Sequence, residues 1–423
     1  MSFHQLRLMA IGFFILLPSY FIFVFSSENF NNPINAIIYF FSGILFIWAF
    51  VSILERNING VNVFSIFYFG SLFFNTFNLS DKQLYKEPID MYYFMLAPLI
   101  FMYFIYIVEK VKIDIKVFNK FFKPDIDTLY LIFLITYILL KLYIGVKVGF
   151  RIMDYGDVTK IPSGDKYSIP GISGVSAVLQ WTLLVLVPFV KKRYSIVAIM
   201  SIIVLSGILH VKRGDIMRVM LFLSIYSISK YLTKNKISIM FIFKCLFVLG
   251  FTLFVFSAFG QYRLEARGGD SSIILTYLGS RVDSIIIAWI YSYFSFNFEV
   301  LKLYFDIEPI YQISHVLSPF FSFIEPPKVG DVSISGFNAA TFIAPLVLDM
   351  GVFYPIELVL YSIVISIFIF IFKKFRFSGA LYFIYTMLAL MVFGDYFYER
   401  SIMMSMLFFI LLIPILDFRK ERV

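Results

Sequence analysis

Runs of about 17 to 22 apolar residues, each long enough for a helix to cross the ~30 Å hydrocarbon core of a bilayer, recur along almost the whole chain. Inside lipid no water is available to bond a backbone N–H or C=O, so runs of this kind must be helices. This predicts an all-α, polytopic integral membrane protein. Of 423 residues 60% are hydrophobic and only 15% charged, and the mean hydropathy of +0.87 is far above that of a soluble domain. With 55 Phe and 28 Tyr, aromatic richness reports lipid contact and packing and says nothing about a cofactor.

The runs place spans at 7–25, 34–54, 62–79, 91–108, 128–146, 175–190, 194–211, 215–233 and 238–258, and then at 338–372, 379–394 and 401–417. That makes about twelve. The first is expected to be an uncleaved helix, since no small-residue cleavage site follows it. The block 338–372 is longer than one span needs, and Pro345 and Pro355 are expected to divide it into a short lead-in segment and a membrane helix. Chain 1–423 therefore reads as one transmembrane domain, interrupted by a long mixed segment over 259–337.

Lys and Arg set the orientation. Lys110, Lys112, Lys116, Lys120 and Lys123, then Lys191, Lys192 and Arg193, then Lys230, Lys234 and Lys236, then Lys373, Lys374 and Arg376, and last Arg419, Lys420 and Arg422 fall on one side of this threading. That side is expected to be the cytoplasm, with both termini there. The segment 259–337 then lies outside. Its apolar stretch Ser284 to Phe296 is too short to cross and reads as an interfacial or re-entrant helix.

Several function classes are excluded by what the chain lacks. Cys245 is the only cysteine and lies in an apolar run, which leaves no disulfide framework and no thiolate metal site. The three histidines, His4, His210 and His315, show no metal-ligand spacing, so no metal and no cofactor are expected. The net charge of +9 comes from cations at span ends, as topology requires, and does not indicate nucleic acid.

The outward cations need another explanation, because the positive-inside rule disfavours them. Lys212-Arg213-Gly214-Asp215 forms a turn between two spans, followed by Arg218. Arg218 can pair with Asp215 at a three-residue helical spacing, or the guanidinium of Arg213 can receive a diphosphate. Arg281 follows Gly279-Ser280 and can pair with Asp283 or Asp270; Arg263 and Arg267 are spaced to share one helical face. His315 lies between Pro309 and Pro319, where a neutral imidazole beside such a cation cluster could take a proton from an attacking hydroxyl. Further on come Glu325-Pro326-Pro327-Lys328, Asn338, Thr341 and Asp349-Met350-Gly351; Asp349 in an apolar run must face a water-filled cavity or a neutralising cation. The turn Gly394 to Arg400 (GDYFYER) reads either as a local ion pair or as a sugar-binding patch of carboxylates and tyrosines, with Arg400 beside them.

With these residues assembled, the chain resembles the bacterial O-antigen or oligosaccharide repeat-unit polymerase (Wzy-type) family. The resemblance rests on the span count with one large loop in the second half, on the Lys-Arg-Gly-Asp turn, and on the stretch 319–351 with FIEPPK, Asn338-x-x-Thr341 and Asp349-Met350-Gly351. Met350 stands where the family pattern has an aromatic residue. The resemblance implies a GT-C-like membrane glycosyltransferase fold related to the lipid-linked O-antigen ligases. It also implies that Arg213, Arg281 and His315 serve the site; with the outward-facing charges above, Arg281 and His315 are expected to be catalytic and Arg213, Arg218, Arg263, Arg267, Lys328, Asn338, Asp349 and Arg400 to bind the diphosphate and sugars. The implied reaction moves a growing glycan from undecaprenyl diphosphate to a sugar hydroxyl of a new lipid-linked repeat unit, without metal or nucleotide sugar. Undecaprenyl-diphosphate-linked oligosaccharides and the bilayer would be its partners, with a chain-length regulator and a flippase alongside. A lipid-linked oligosaccharide flippase, with charges inside its spans around a cavity, and an O-antigen ligase are the competing readings.

Overall fold

The computed structural model describes residues 33–77, 79–84, 86, 88–111, 125–150, 167–209, 213–234, 250, 254, 275–276, 279–321, 323–327, 333 and 340–415. The expected span 7–25, and 238–258 apart from 250 and 254, lie outside these residues. All regular structure among the described residues is helical, with one isolated bridge between Ser80 and Ser280.

The helices in chain order are α1 (Pro33–Leu54), α2 (Gly60–Asn75), α3 (Pro88–Lys110), α4 (Ile126–Val148), α5 (Ile172–Leu186), α6 (Lys192–Ile202), α7 (Arg213–Lys234), α8 (Ile285–Phe305), α9 (Ser314–Leu317), α10 (Ile343–Met350), α11 (Tyr354–Lys374), α12 (Ser378–Leu390) and α13 (Arg400–Leu412). Their starts are set by local chemistry. Asn59 caps α2 by accepting from the Asn62 N–H, and Asp125 caps α4 through the Thr128 N–H. At α11, Glu357 stands in the first turn and Lys373 and Lys374 in the last, complementing the helix dipole. Among the described residues five stretches are long and apolar enough to cross a membrane: Asn35–Leu54, Tyr93–Lys110, Ile126–Val148, Ile172–Phe189 and Ile343–Lys374. The chain is thus a helical membrane protein.

The expected division of 338–372 into a short segment and a membrane helix is present as α10 and α11; the part given to its prolines, and the helix end at Phe296, need correction. Pro345 lies inside the short helix α10 without breaking it, and Pro355 sits in the first turn of α11, where its missing N–H costs nothing. The break falls at Gly351, whose φ of 56° belongs to the region that glycine favours. The helix expected to end at Phe296 continues to Phe305, because Glu299 and Lys302, which end the apolar run, have partners. Lys302 pairs with Asp90 at 3.0 Å, and Glu299 is fully buried against Lys86 at 2.5 Å.

Helix α8 follows the connection between α2 and α3. Its beginning bonds to that connection, with the Arg281 N–H on the Leu79 carbonyl; Ser295 and Glu299 meet Asn75, and Phe305 stacks on Tyr93 at 5.2 Å. It therefore lies across one end of the bundle. The Tyr354 hydroxyl bonds the Tyr93 carbonyl at that end, and Lys373 reaches the Glu109 carbonyl at the other, so α3 and α11 run parallel. Phe64, Tyr68, Phe101, Phe342 and Tyr361 interlock between these helices as a fully buried aromatic core.

Glu299 gathers the Asn75 amide at 2.7 Å and the Leu84 N–H at 2.8 Å as well as Lys86, so the connection, α2 and α8 share one satisfied polar centre. Removing one member of a buried ion pair strands the other. Lys86→Met should cost about 3–5 kcal/mol, read as a lowered unfolding temperature in detergent. Adding Glu299→Gln should restore part of that loss; strictly additive losses would contradict the pairing.

Candidate functional site

The short helix α9 carries His315 and is held by acids from other elements. The Asp349 carboxylate, at the end of α10, accepts from the Ser314 hydroxyl and from the His315 N–H, both at 2.6 Å. Glu357, in the first turn of α11, accepts from the Val316 N–H at 3.3 Å. A four-residue helix leaves its first N–H groups without intrahelical partners, and these buried carboxylates supply them. The described partners of Asp349 are the hydroxyl and amide of the His315 turn and the Glu357 carboxyl, with no cation among them.

On the other side of His315 stands Asp395. The imidazole Nε2 lies 2.5 Å from Asp395 Oδ2, with both side chains almost wholly buried. Asp395 Oδ1 accepts from the Tyr361 hydroxyl at 2.9 Å and from the Phe397 N–H at 3.0 Å. The imidazole lies nearly parallel to the Tyr361 ring, 11° apart, and Tyr398 packs 5.2 Å from it. Burial first, then the neighbouring Asp395 and Glu357, pushes the Tyr398 phenol well above its ordinary pKa, which keeps it neutral. A carboxylate on Nε2 favours the tautomer with its proton there and leaves the Nδ1 lone pair as a base; it also stabilises the imidazolium once a proton is taken.

The turn GDYFYER does not form a local ion pair. Asp395 reaches back to His315, Glu399 pairs with Arg218 at 3.0 Å, and Arg400 donates to the Ser318 carbonyl at 3.2 Å. Arg218 also meets Asp215 at 3.6 Å and lies over the ring of Tyr396. Set between two carboxylates and an aromatic face, it has the surroundings of a structural cation. Arg281 is bonded at 2.6 Å to Asp81, some 200 residues away, and both members of the pair are exposed; Asp270, the other acid expected beside it, lies outside the described residues.

His315, Asp349 and Arg400 therefore meet in one network, Arg218 adjoins it through Glu399, and Arg281 stands at the opposite end of α8. Arg213 begins α7, but its side chain is not described, and Arg263, Arg267, Lys328 and Asn338 lie outside the described residues. Asp395 and Tyr398 come from the turn GDYFYER, while Glu357 and Tyr361 join the site without having been singled out for it. The signal for two of them was Glu357 and Asp395 themselves, carboxylates beside apolar spans that cannot stand there unbonded. Among the described residues no group of three His, Cys, Asp or Glu side chains is arranged to hold a metal ion.

Gly351 links Asp349 to α11. A Cβ there would meet the Pro309 ring at 2.8 Å, on a backbone that side chains rarely adopt. Gly351→Ala should destabilise the protein by about 1–3 kcal/mol, whereas Gly214→Ala, with open space around the new methyl, should be close to neutral. Equal thermal shifts for the two in detergent would contradict this. Compared with known proteins, the chain matches no family model, no curated protein and no solved structure.

Proposed function

We propose that this protein is a membrane glycosyltransferase that polymerises lipid-linked oligosaccharide repeat units, moving the growing glycan from undecaprenyl diphosphate to a sugar hydroxyl of the next unit. The observation that carries the reading is the buried His315–Asp395 pair at one end of a helical membrane bundle. His315 accepts the proton of the attacking hydroxyl while Asp395 fixes its tautomer and orientation. The leaving diphosphate gains charge as the glycosidic bond breaks, and a guanidinium can receive it. An exposed pair such as Arg281–Asp81 is worth only about 0.2–1 kcal/mol and yields to a multiply charged ligand, but Arg281 stands at the opposite end of α8 from His315; of the described guanidinium groups, Arg400, bonded to the Ser318 carbonyl, adjoins the His315 turn. On this reading the protein has about twelve spans, a GT-C-like fold, both termini in the cytoplasm and the site on the outer face.

Lys141 supports a second reading. It lies in the middle of α4, nearly buried, and donates to Ser206 on the neighbouring π-helical turn Ile203–Ile208, which also bonds Asp215. A charge placed inside a span is what a flippase for the same lipid-linked units would use.

Purified protein in detergent, given lipid-linked repeat units and a chelator, should elongate the glycan without a bilayer. His315→Ala and Asp395→Asn should each lower the rate by about 10²–10⁴, and Asp395→Asn should shift the pH profile of what remains. Elongation by His315→Ala at the normal rate would remove the base from the proposal, and none by the unaltered protein would favour the transporter.

A further inference from the structure

The turn that carries His315 shows a continuous apolar face to the outside. Ile310, Tyr311, Leu317, Val352, Phe353 and Ile356 are each between 39% and 63% exposed. Two sets of contacts bring them together from distant parts of the chain. The Ile310 N–H bonds the Leu348 carbonyl and Pro309 sits on Gly351, which sets Ile310 and Tyr311 beside Val352 and Phe353. The Val316 N–H bonds Glu357, which sets Leu317 beside Ile356. Exposed apolar surface of this extent marks an interaction site.

What covers it is indicated by its continuation. Along α11 the exposed residues Ile356, Leu360, Ile363 and Ile367 follow at the four-, three- and four-residue spacing of one helical stripe, within the apolar stretch Ile343–Lys374 that is long enough to cross a membrane. The face around the turn prolongs this stripe past the start of the helix. Asp306, Glu308 and Gln312 stand exposed at its edge, giving it the polar rim of a surface placed at a lipid–water boundary.

We propose that this face is covered by the hydrocarbon chains of the bilayer, so that the turn bearing His315 is seated in the membrane boundary and not in bulk water. The His315–Asp395 pair then lies directly behind a lipid-facing surface. This assignment stands without the enzymatic reading. If that reading also holds, the prenyl chain of the substrate has a route along the face to the reacting diphosphate.

Site-directed spin labelling tests it in the full chain. Cys245 is the only cysteine, so a Cys245→Ala background accepts single labels at Ile310→Cys and Phe353→Cys, with Ile363→Cys as the lipid-facing reference and Lys192→Cys as the water-exposed one. In lipid vesicles, the labels at 310 and 353 should be relaxed by oxygen more than by a water-soluble nickel chelate, with a ratio within about twofold of that at 363. A ratio like that at 192 would place the face in water and overturn the proposal. Low access to both reagents would overturn it as well: with spin–spin broadening relieved by unlabelled protein, the cover is a second copy; without broadening, it is another part of the chain.

Discussion

The placement of four buried carboxylates governs this structure, because each must be bonded where apolar surroundings offer no water. Glu299 ties α8 to the α2–α3 connection through Lys86 and Asn75. Asp349 and Glu357 hold the backbone of the His315 turn, and Asp395 holds its imidazole. Each acid bonds groups from other elements, so satisfying it also fixes one element against another. His315 thereby acquires a rigid setting, which loops alone rarely provide.

The same accounting separates the cations. Arg218 is enclosed by Asp215, Glu399 and Tyr396, and its own side chain is nearly buried among them. Arg281 shares an exposed pair with Asp81, where solvent already screens the charge and replacement costs little. Two arginines that look alike in sequence thus differ in what they can offer an anionic ligand. The difference comes from burial.

Much of the helical frame was legible from hydropathy, since span length follows bilayer thickness: 34–54 and 128–146 appear as Pro33–Leu54 and Ile126–Val148. Helix α8 was cut short in the sequence reading because Glu299 and Lys302 look like an end when their partners, Lys86 and Asp90, are more than 200 residues away. GDYFYER looked self-contained for the same reason: opposite charges lie close in sequence, yet Asp395 and Glu399 bond to His315 and Arg218. Within the candidate site, residue types were readable and pairings were not. Asp349-Met350-Gly351 shows both sides, a motif visible in sequence whose acid proves to anchor the histidine turn and whose glycine makes the bend into α11.

The account turns on Asp395 setting the state of His315, and with only three histidines in the chain this can be observed directly. In a His4→Gln/His210→Gln background, ¹⁵N-histidine labelling in lipid nanodiscs leaves one imidazole in the spectrum. The account predicts separate ring-nitrogen signals of a neutral imidazole protonated at Nε2, with the Nε2 resonance displaced by Asp395→Asn. Averaged, tautomer-exchanging signals that Asp395→Asn leaves unchanged would contradict it.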